Sequence, residues 1–226
     1  MNIVIEALDG AGKETQSKLL KQYLENKGYK VKLLSFPMYN NESSYLVKKY
    51  LNGEIFENLK YSNLYACSMF YIIDRYLSFL NDWEKDINDY DYIIYDRYVT
   101  SNFIYQSVKD EKNYEQICDW LYDLEFNKLG LPKPDIVFFL DVPPEISKKM
   151  RINRKNKINN SDKQDIHEIN DKYLEKCYNI AQKIYKKYSW FKINCVENND
   201  IKTIQDIHNS IINVLNNKLR GDIIEI

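Results

Sequence analysis

The 226-residue chain balances 32 Lys and Arg against 33 Asp and Glu, and a net charge of -1 excludes a global field that would gather nucleic acid or an anionic membrane. Hydrophobic and charged fractions of 44% and 29% are those of a soluble globular protein, the length suits a single domain over 1–226, and no stretch reaches membrane-spanning length. Cys67, Cys118, Cys177 and Cys195 form no CxxC pair and share the chain with two histidines, which removes zinc-type spacing and leaves buried free thiols as the expectation.

In chain order, Asn2 to Glu6 is a short apolar run that enters a turn bearing Gly10 and Gly12, after which Thr15 to Asn26 carries helical spacing at Leu19, Leu20, Tyr23 and Leu24. Gly28 ends that helix and Lys30 to Ser35 reads as a second strand, closing a βαβ unit. Further strands are expected at Tyr92 to Tyr95, Ile136 to Leu140 and Trp190 to Ile193, each separated from the next by helical stretches, which is the pattern of a doubly wound sheet of five parallel strands. The helical stretches are Glu42 to Leu51, Tyr61 to Asn88, Tyr114 to Leu129, Asp165 to Tyr188 and Ile201 to Leu219. Arg151 to Lys163 follows a Pro-Pro turn at Pro143 and Pro144, is rich in Lys, Arg and Asn, and reads as a mobile basic loop. The start of the chain runs directly into a strand pattern without a basic n-region and apolar stretch, so a cytoplasmic location is expected.

Ala7-Leu8-Asp9-Gly10-Ala11-Gly12-Lys13-Glu14-Thr15 nearly follows G-x-x-x-x-G-K-[ST], the loop whose backbone N–H groups cradle phosphates while its lysine reaches the β- and γ-phosphates. Ala7 replaces the first glycine and Glu14 stands where a hydroxyl normally ligates magnesium, leaving Thr15 as the nearest hydroxyl. The context is the required one, because the loop leaves a buried strand and opens an amphipathic helix whose positive dipole end converges there. A carboxylate beside polyphosphate would repel it, so Glu14 is expected to turn along the helix surface into solvent. Asp9, Gly10, Ala11, Gly12, Lys13, Glu14 and Thr15 are the expected ATP-binding residues.

With this loop, four further landmarks resemble the thymidylate kinase family over nearly the whole chain: Phe36-Pro37-Met38-Tyr39 after the second strand, Tyr71-Ile72-Ile73-Asp74-Arg75 in the long third helix, Asp96-Arg97-Tyr98 after the third strand, and Leu140-Asp141-Val142-Pro143 after the fourth. Three of them lie at strand ends, where open α/β sheets bind ligands. The resemblance implies a three-layer P-loop NTPase fold with a basic lid over about 151–164. It implies transfer of the γ-phosphoryl of ATP to dTMP with Mg²⁺, giving dTDP and ADP. Asp9 resembles the carboxylate near the acceptor 3′-hydroxyl, Arg97 the arginine that grips the acceptor phosphate, and Asp96 the carboxylate beside the metal. Tyr71 stands where the family stacks a phenylalanine on thymine, Arg75 and Asn102 resemble its base-edge contacts, and Tyr105 the residue against the sugar's 2′ side. Phe36, Pro37 and Tyr39 would line the acceptor cleft. Because Gly10 follows Asp9, the catalytic arginine is expected from the lid, with Arg154 first and Arg151 second. Family members are usually homodimers packed through long helices, so a homodimer is implied. The rival readings are a kinase of another deoxynucleotide or deoxynucleoside, and a nucleotide-binding paralogue without turnover.

Overall fold

The computed structural model describes residues 1–55, 63–151 and 171–221. Strands β1 (Asn2–Glu6), β2 (Val31–Ser35), β3 (Tyr92–Asp96), β4 (Ile136–Asp141) and β5 (Phe191–Asn194) form one five-stranded sheet in the order β2-β3-β1-β4-β5. All its neighbours are parallel, with Ile5 opposite Asp96 on one side of β1 and Glu6 opposite Phe139 on the other.

Because successive strand residues point to opposite faces, the continuous apolar runs feed two cores. Val4, Ile93, Tyr95, Val137 and Phe139 face one core, where α3 (Leu64–Ser78), α4 (Val99–Ser107), α5 (Tyr114–Tyr122) and α7 (Asp171–Lys187) pack. Ile3, Ile5, Ile94, Phe138 and Leu140 face the other, closed by α1 (Lys13–Asn26) and α8 (Ile204–Arg220). Helix α7 shows how sequence selects the buried side: Tyr173, Leu174, Cys177, Ile180, Ala181, Ile184 and Tyr185 recur at three- and four-residue steps and are all buried. Each such aliphatic or aromatic side chain removed from water contributes about 1.5–3 kcal/mol. A small third cluster joins α2 (Tyr45–Leu51) to α3 through Val47, Tyr50, Leu51 and Cys67.

Several boundaries differ from the sequence reading for physical reasons. Helix α4, which periodicity missed, has eight of its nine residues buried, so no polar face marks it and its Val, Thr, Phe, Ile and Tyr content imitates a strand. The expected turn at Pro143 and Pro144 is instead the start of α6 (Pro144–Arg151), a position where proline's missing N–H costs nothing. Arg151 is therefore the last residue of a helix, and only the remainder of the basic loop, including Arg154, lies outside the described residues. Helix α3 begins at Leu64, where the Asn63 side chain accepts from the N–H groups of Tyr65 and Ala66, and gives way at Phe79 to a π-helical segment through Trp83. Ile201 pairs in a two-stranded hairpin, β6 (Val196–Glu197) with β7 (Asp200–Ile201). Helix α8 begins only at Ile204, capped by Thr203. All four cysteines are free and buried, and burial pushes the thiols of Cys118 and Cys195 up to about 11 and about 12. Among the described residues no helix is long and apolar enough to cross a membrane.

Candidate active site

β1 ends at Glu6 and the chain reaches α1 through Ala7 to Gly12. Gly10 and Gly12 both have φ near 81°, and Gly12 caps α1 without a side-chain hydrogen bond. A side chain rarely adopts that left-handed conformation, which is why the turn requires glycine there. Ala7, by contrast, is not among the residues with positive φ. Its methyl is buried with Ile5 and Leu20, and its N–H donates to Glu6 Oε1 at 2.9 Å, so the first motif position tolerates alanine. The first-turn N–H groups of an α-helix such as α1 have no partner within the helix, an arrangement that can receive an anion. Glu14 does turn outward: it pairs with Lys18 at 2.7 Å one helical turn on, with about half of its side chain exposed.

Lys13 behaves differently. It is 6% exposed and its Nζ donates to the Leu8 carbonyl at 2.7 Å. Burial, with the nearby Arg97 cation adding to it, lowers its ammonium from an ordinary 10.5 to about 7. An incoming phosphate supplies the negative charge that this buried lysine wants.

Beside the loop opens a cleft that reaches from Asp9 to Gln106. Its walls contain Asp9, Phe36, Pro37, Tyr39, Tyr71, Arg75, Arg97, Asn102 and Tyr105, the nine residues proposed from sequence for the acceptor. Asp9 sits at the junction of cleft and loop, ion-paired with Arg97 Nη2 and accepting the Tyr105 hydroxyl at 2.8 Å. The Arg97 guanidinium also stands 5.4 Å over the Tyr105 ring. Arg97 has φ 67°, a conformation uncommon for non-glycine residues and frequent at functional sites. Burial opposes its charge, yet Asp9, Tyr105, Glu6 and Asp96 together hold it well above the ordinary arginine value.

Four groups that sequence reasoning missed line the cleft, as Asp74 and Gln106 do, or stand behind its lining residues, as Glu125 and Glu6 do. Glu125, fully buried, holds Arg75 in a two-pronged ion pair at 2.7 Å on Nε and 2.7 Å on Nη2. Arg75 therefore enters the cleft already committed, with Nη1 at 3.5 Å from the Tyr98 carbonyl. Asp74 accepts the Met38 N–H at 2.8 Å and the Ser43 hydroxyl at 2.7 Å, tying the Phe36 to Tyr39 loop to α3. Burial raises its carboxyl pKa, and those two donors oppose the rise. Gln106 is fully buried on the cleft wall one helical turn after Asn102, and neither end of its amide has a partner among the described residues. Glu6 stands behind Arg97, outside the cleft lining, with Oε1 3.8 Å from Arg97 Nη1. No periodicity separates such buried polar residues from surface ones, although the position of Glu6 inside a central strand was a usable signal, since a parallel sheet buries both faces.

Asp96, the expected metal ligand, ends β3 at 4% exposure and accepts the Ser35 hydroxyl at 3.3 Å. Among the described residues no group of three or more His, Cys, Asp or Glu is arranged to hold a metal. Asp96 alone is the kind of single carboxylate that Mg²⁺ could take where water and substrate phosphate oxygens complete its shell. Thr15 is exposed on the first turn of α1.

Comparison with known proteins adds the family context. Residues 5–211 match the family model described as thymidylate kinase. The chain is 31% identical to the thymidylate kinase of Plasmodium falciparum over 221 residues, covering 93% of this chain and 87% of that one. It is 33% identical to that of Mycobacterium tuberculosis over 149 residues, 65% of this chain and 68% of the relative. Among solved structures, the thymidylate kinase of Candida albicans superposes with a TM-score of 0.68 at 23% identity, over 100% of this chain and 95% of that one. The Ehrlichia chaffeensis thymidylate kinase gives 0.65 at 24% identity, over 95% and 98%. At these identities the structural matches establish the shared fold.

Proposed function

The chain belongs to the thymidylate kinase family, and from that membership and the chemistry of its cleft we propose that it transfers the γ-phosphoryl of ATP to dTMP, giving dTDP and ADP. The observation that carries the reading is Asp9, which lies in the phosphate loop and at the same time pairs with Arg97 in the acceptor cleft. Donor and acceptor sites therefore share one residue, as in-line transfer between two bound nucleotides requires.

In this reading the first-turn N–H groups of α1 and Lys13 hold the donor phosphates, and Arg97 presents its planar fork to the acceptor phosphate. The phosphate displaces Asp9 from Arg97, and Asp9 then accepts the sugar 3′-hydroxyl. Tyr71 offers a ring face to the base while Arg75, Asn102 and Gln106 offer polar groups to its edge. Tyr105 closes the 2′ side of the sugar. Asp96 would hold Mg²⁺ together with nucleotide oxygens, and the ion supplies neutralisation of the donor phosphates. Arg154, with Arg151 second, remains the proposed lid arginine for charge on the transferred group, on sequence grounds alone.

Purified protein with ATP and Mg²⁺ is expected to release ADP steadily on addition of dTMP and not with ribonucleoside monophosphates or dCMP. No release with any monophosphate would sink the kinase reading, and equal rates with dCMP would sink the choice of acceptor.

We further propose a homodimer. Tyr65, Met69, Ile73, Leu77 and Leu80 are exposed apolar residues at steps of four and three along α3 and the turn after it, a stripe of the kind that two copies cover symmetrically. Light scattering is expected to give twice 27.1 kDa, and Ile73→Glu is expected to shift the mass to one copy. A wild-type mass of one copy at micromolar concentration would overturn the dimer.

A further inference from the structure

Glu6 is a charged residue in a place that ordinarily takes an apolar one. It ends β1, the central strand, with β3 and β4 on either side, and has 0% exposure. A carboxylate there is tolerated only when donors surround it. Oε1 accepts the Ala7 N–H at 2.9 Å, and Oε2 accepts the hydroxyls of Thr100 and Ser101, both at 2.7 Å.

The Ser101 oxygen also accepts Arg97 Nη1 at 3.4 Å, and that same nitrogen lies 3.8 Å from Glu6 Oε1. Arg97 Nη2 is bound by Asp9. The guanidinium thus has one carboxylate on each terminal nitrogen, and the two differ in what a ligand can do to them. Asp9 lines the cleft, where an acceptor can displace it, whereas Glu6 does not line it and is sealed behind Ser101.

Resting on the reading of Arg97 as the acceptor-phosphate clamp, we infer that Glu6 is a positioning residue for that clamp, acting through the Ser101 hydroxyl. When the acceptor phosphate takes the outer side of the fork and Asp9 leaves, Glu6 keeps a hold on the inner side. The fork then neither follows Asp9 nor rotates toward the donor phosphates, and the charge it offers the acceptor stays aimed.

A purely structural role for Glu6, capping the hydroxyls at the start of α4, makes a different forecast, because Thr100 donates to the same oxygen without touching Arg97. The experiment compares Glu6→Gln, Ser101→Ala and Thr100→Val by steady-state kinetics, using the monophosphate that the wild type turns over, with melting curves as a check on folding. Glu6→Gln is expected to raise KM for the acceptor about tenfold and Ser101→Ala about fivefold, with KM for ATP within about twofold, the range spanned by lost hydrogen bonds to charged groups. Thr100→Val is expected to leave the acceptor KM within about twofold, and Glu6→Gln in an Arg97→Lys background is expected to add nothing further. An unchanged acceptor KM in Glu6→Gln, a parallel rise in KM for ATP, or equal effects of Ser101→Ala and Thr100→Val would overturn the inference. If Glu6→Gln fails to fold, the Ser101 and Thr100 pair decides alone. The identity of the wild-type acceptor tests the proposed function separately, since the variant comparison reads only ratios to wild type.

Discussion

Lys13→Met is expected to lower kcat by on the order of 10²- to 10³-fold while leaving the protein folded, as removal of one well-aimed charge stabiliser does in other transfer enzymes. Methionine fills the lysine's volume, and the side chain it replaces is buried against the Leu8 carbonyl. The same variant makes an opposite forecast for stability, with a definite sign. In the unfolded chain the lysine keeps its ordinary 10.5, while burial brings it to about 7 in the folded protein. The fold therefore disfavours the ammonium, and the penalty is complete below about 7 and vanishes as pH rises toward 10.5. Lys13→Met is expected to melt no lower than wild type at pH 6, with its relative advantage shrinking toward pH 10. Nucleotide binding to the wild type at pH 8 is expected to take up a proton, read as a dependence of calorimetric enthalpy on buffer ionisation. Full activity in Lys13→Met, or a lower melting temperature at pH 6 than at pH 9 relative to wild type, would contradict this account.

Glu125→Ala carries the largest expected loss of stability. It leaves Arg75, whose side chain is 3% exposed, charged and without its two-pronged partner. Breaking a buried ion pair from one side costs about 3–5 kcal/mol, against only about 0–1 for a surface pair. For a chain of this size that corresponds to a fall in melting temperature of roughly 6–20 °C. A double replacement, Arg75→Met with Glu125→Leu, is expected to recover most of the stability, because apolar residues of similar volume avoid the desolvation of both charges. It is not expected to recover acceptor binding, since Arg75 lines the cleft. Recovery of both stability and acceptor KM in the double variant would show that Arg75 serves the core alone.

The strands were legible because a parallel sheet buried on both faces writes itself as short apolar runs, and all five appear within a residue of their expected ends. The acceptor cleft was legible because its parts lie at strand ends and on one face of α3, where Tyr71 and Arg75 are a helical turn apart. What escaped was whatever lacks an amphipathic signature. Helix α4 is buried nearly all round, so the element gave no helical period, and of its cleft-lining residues the family resemblance picked out Asn102 and Tyr105 but not Ser101 or Gln106. The Val196–Ile201 hairpin was readable in principle, since Asn198 and Asn199 both take positive φ and paired asparagines suit such a turn. Glu125 could not be told from the exposed glutamates around it, and Glu6 was marked only by its place in a strand, because the energy that keeps both inside comes from partners distant in sequence: Ser101, Arg97 and Arg75.

The strand order has a consequence for how the site comes into being during synthesis. β1 is the first strand made, yet its two neighbours are β3 and β4, so Ile5 meets Asp96 and Glu6 meets Phe139 only after those distant segments exist. Until β4 has left the ribosome, β1 is an edge with unpaired backbone groups and Glu6 has one open flank. Asp9 and Arg97 cannot hold their pairing on a strand that is not yet framed on both sides. The nascent chain therefore acquires nucleotide affinity late and in one step, and ligand binding in a series of truncated chains would mark the completion of the sheet.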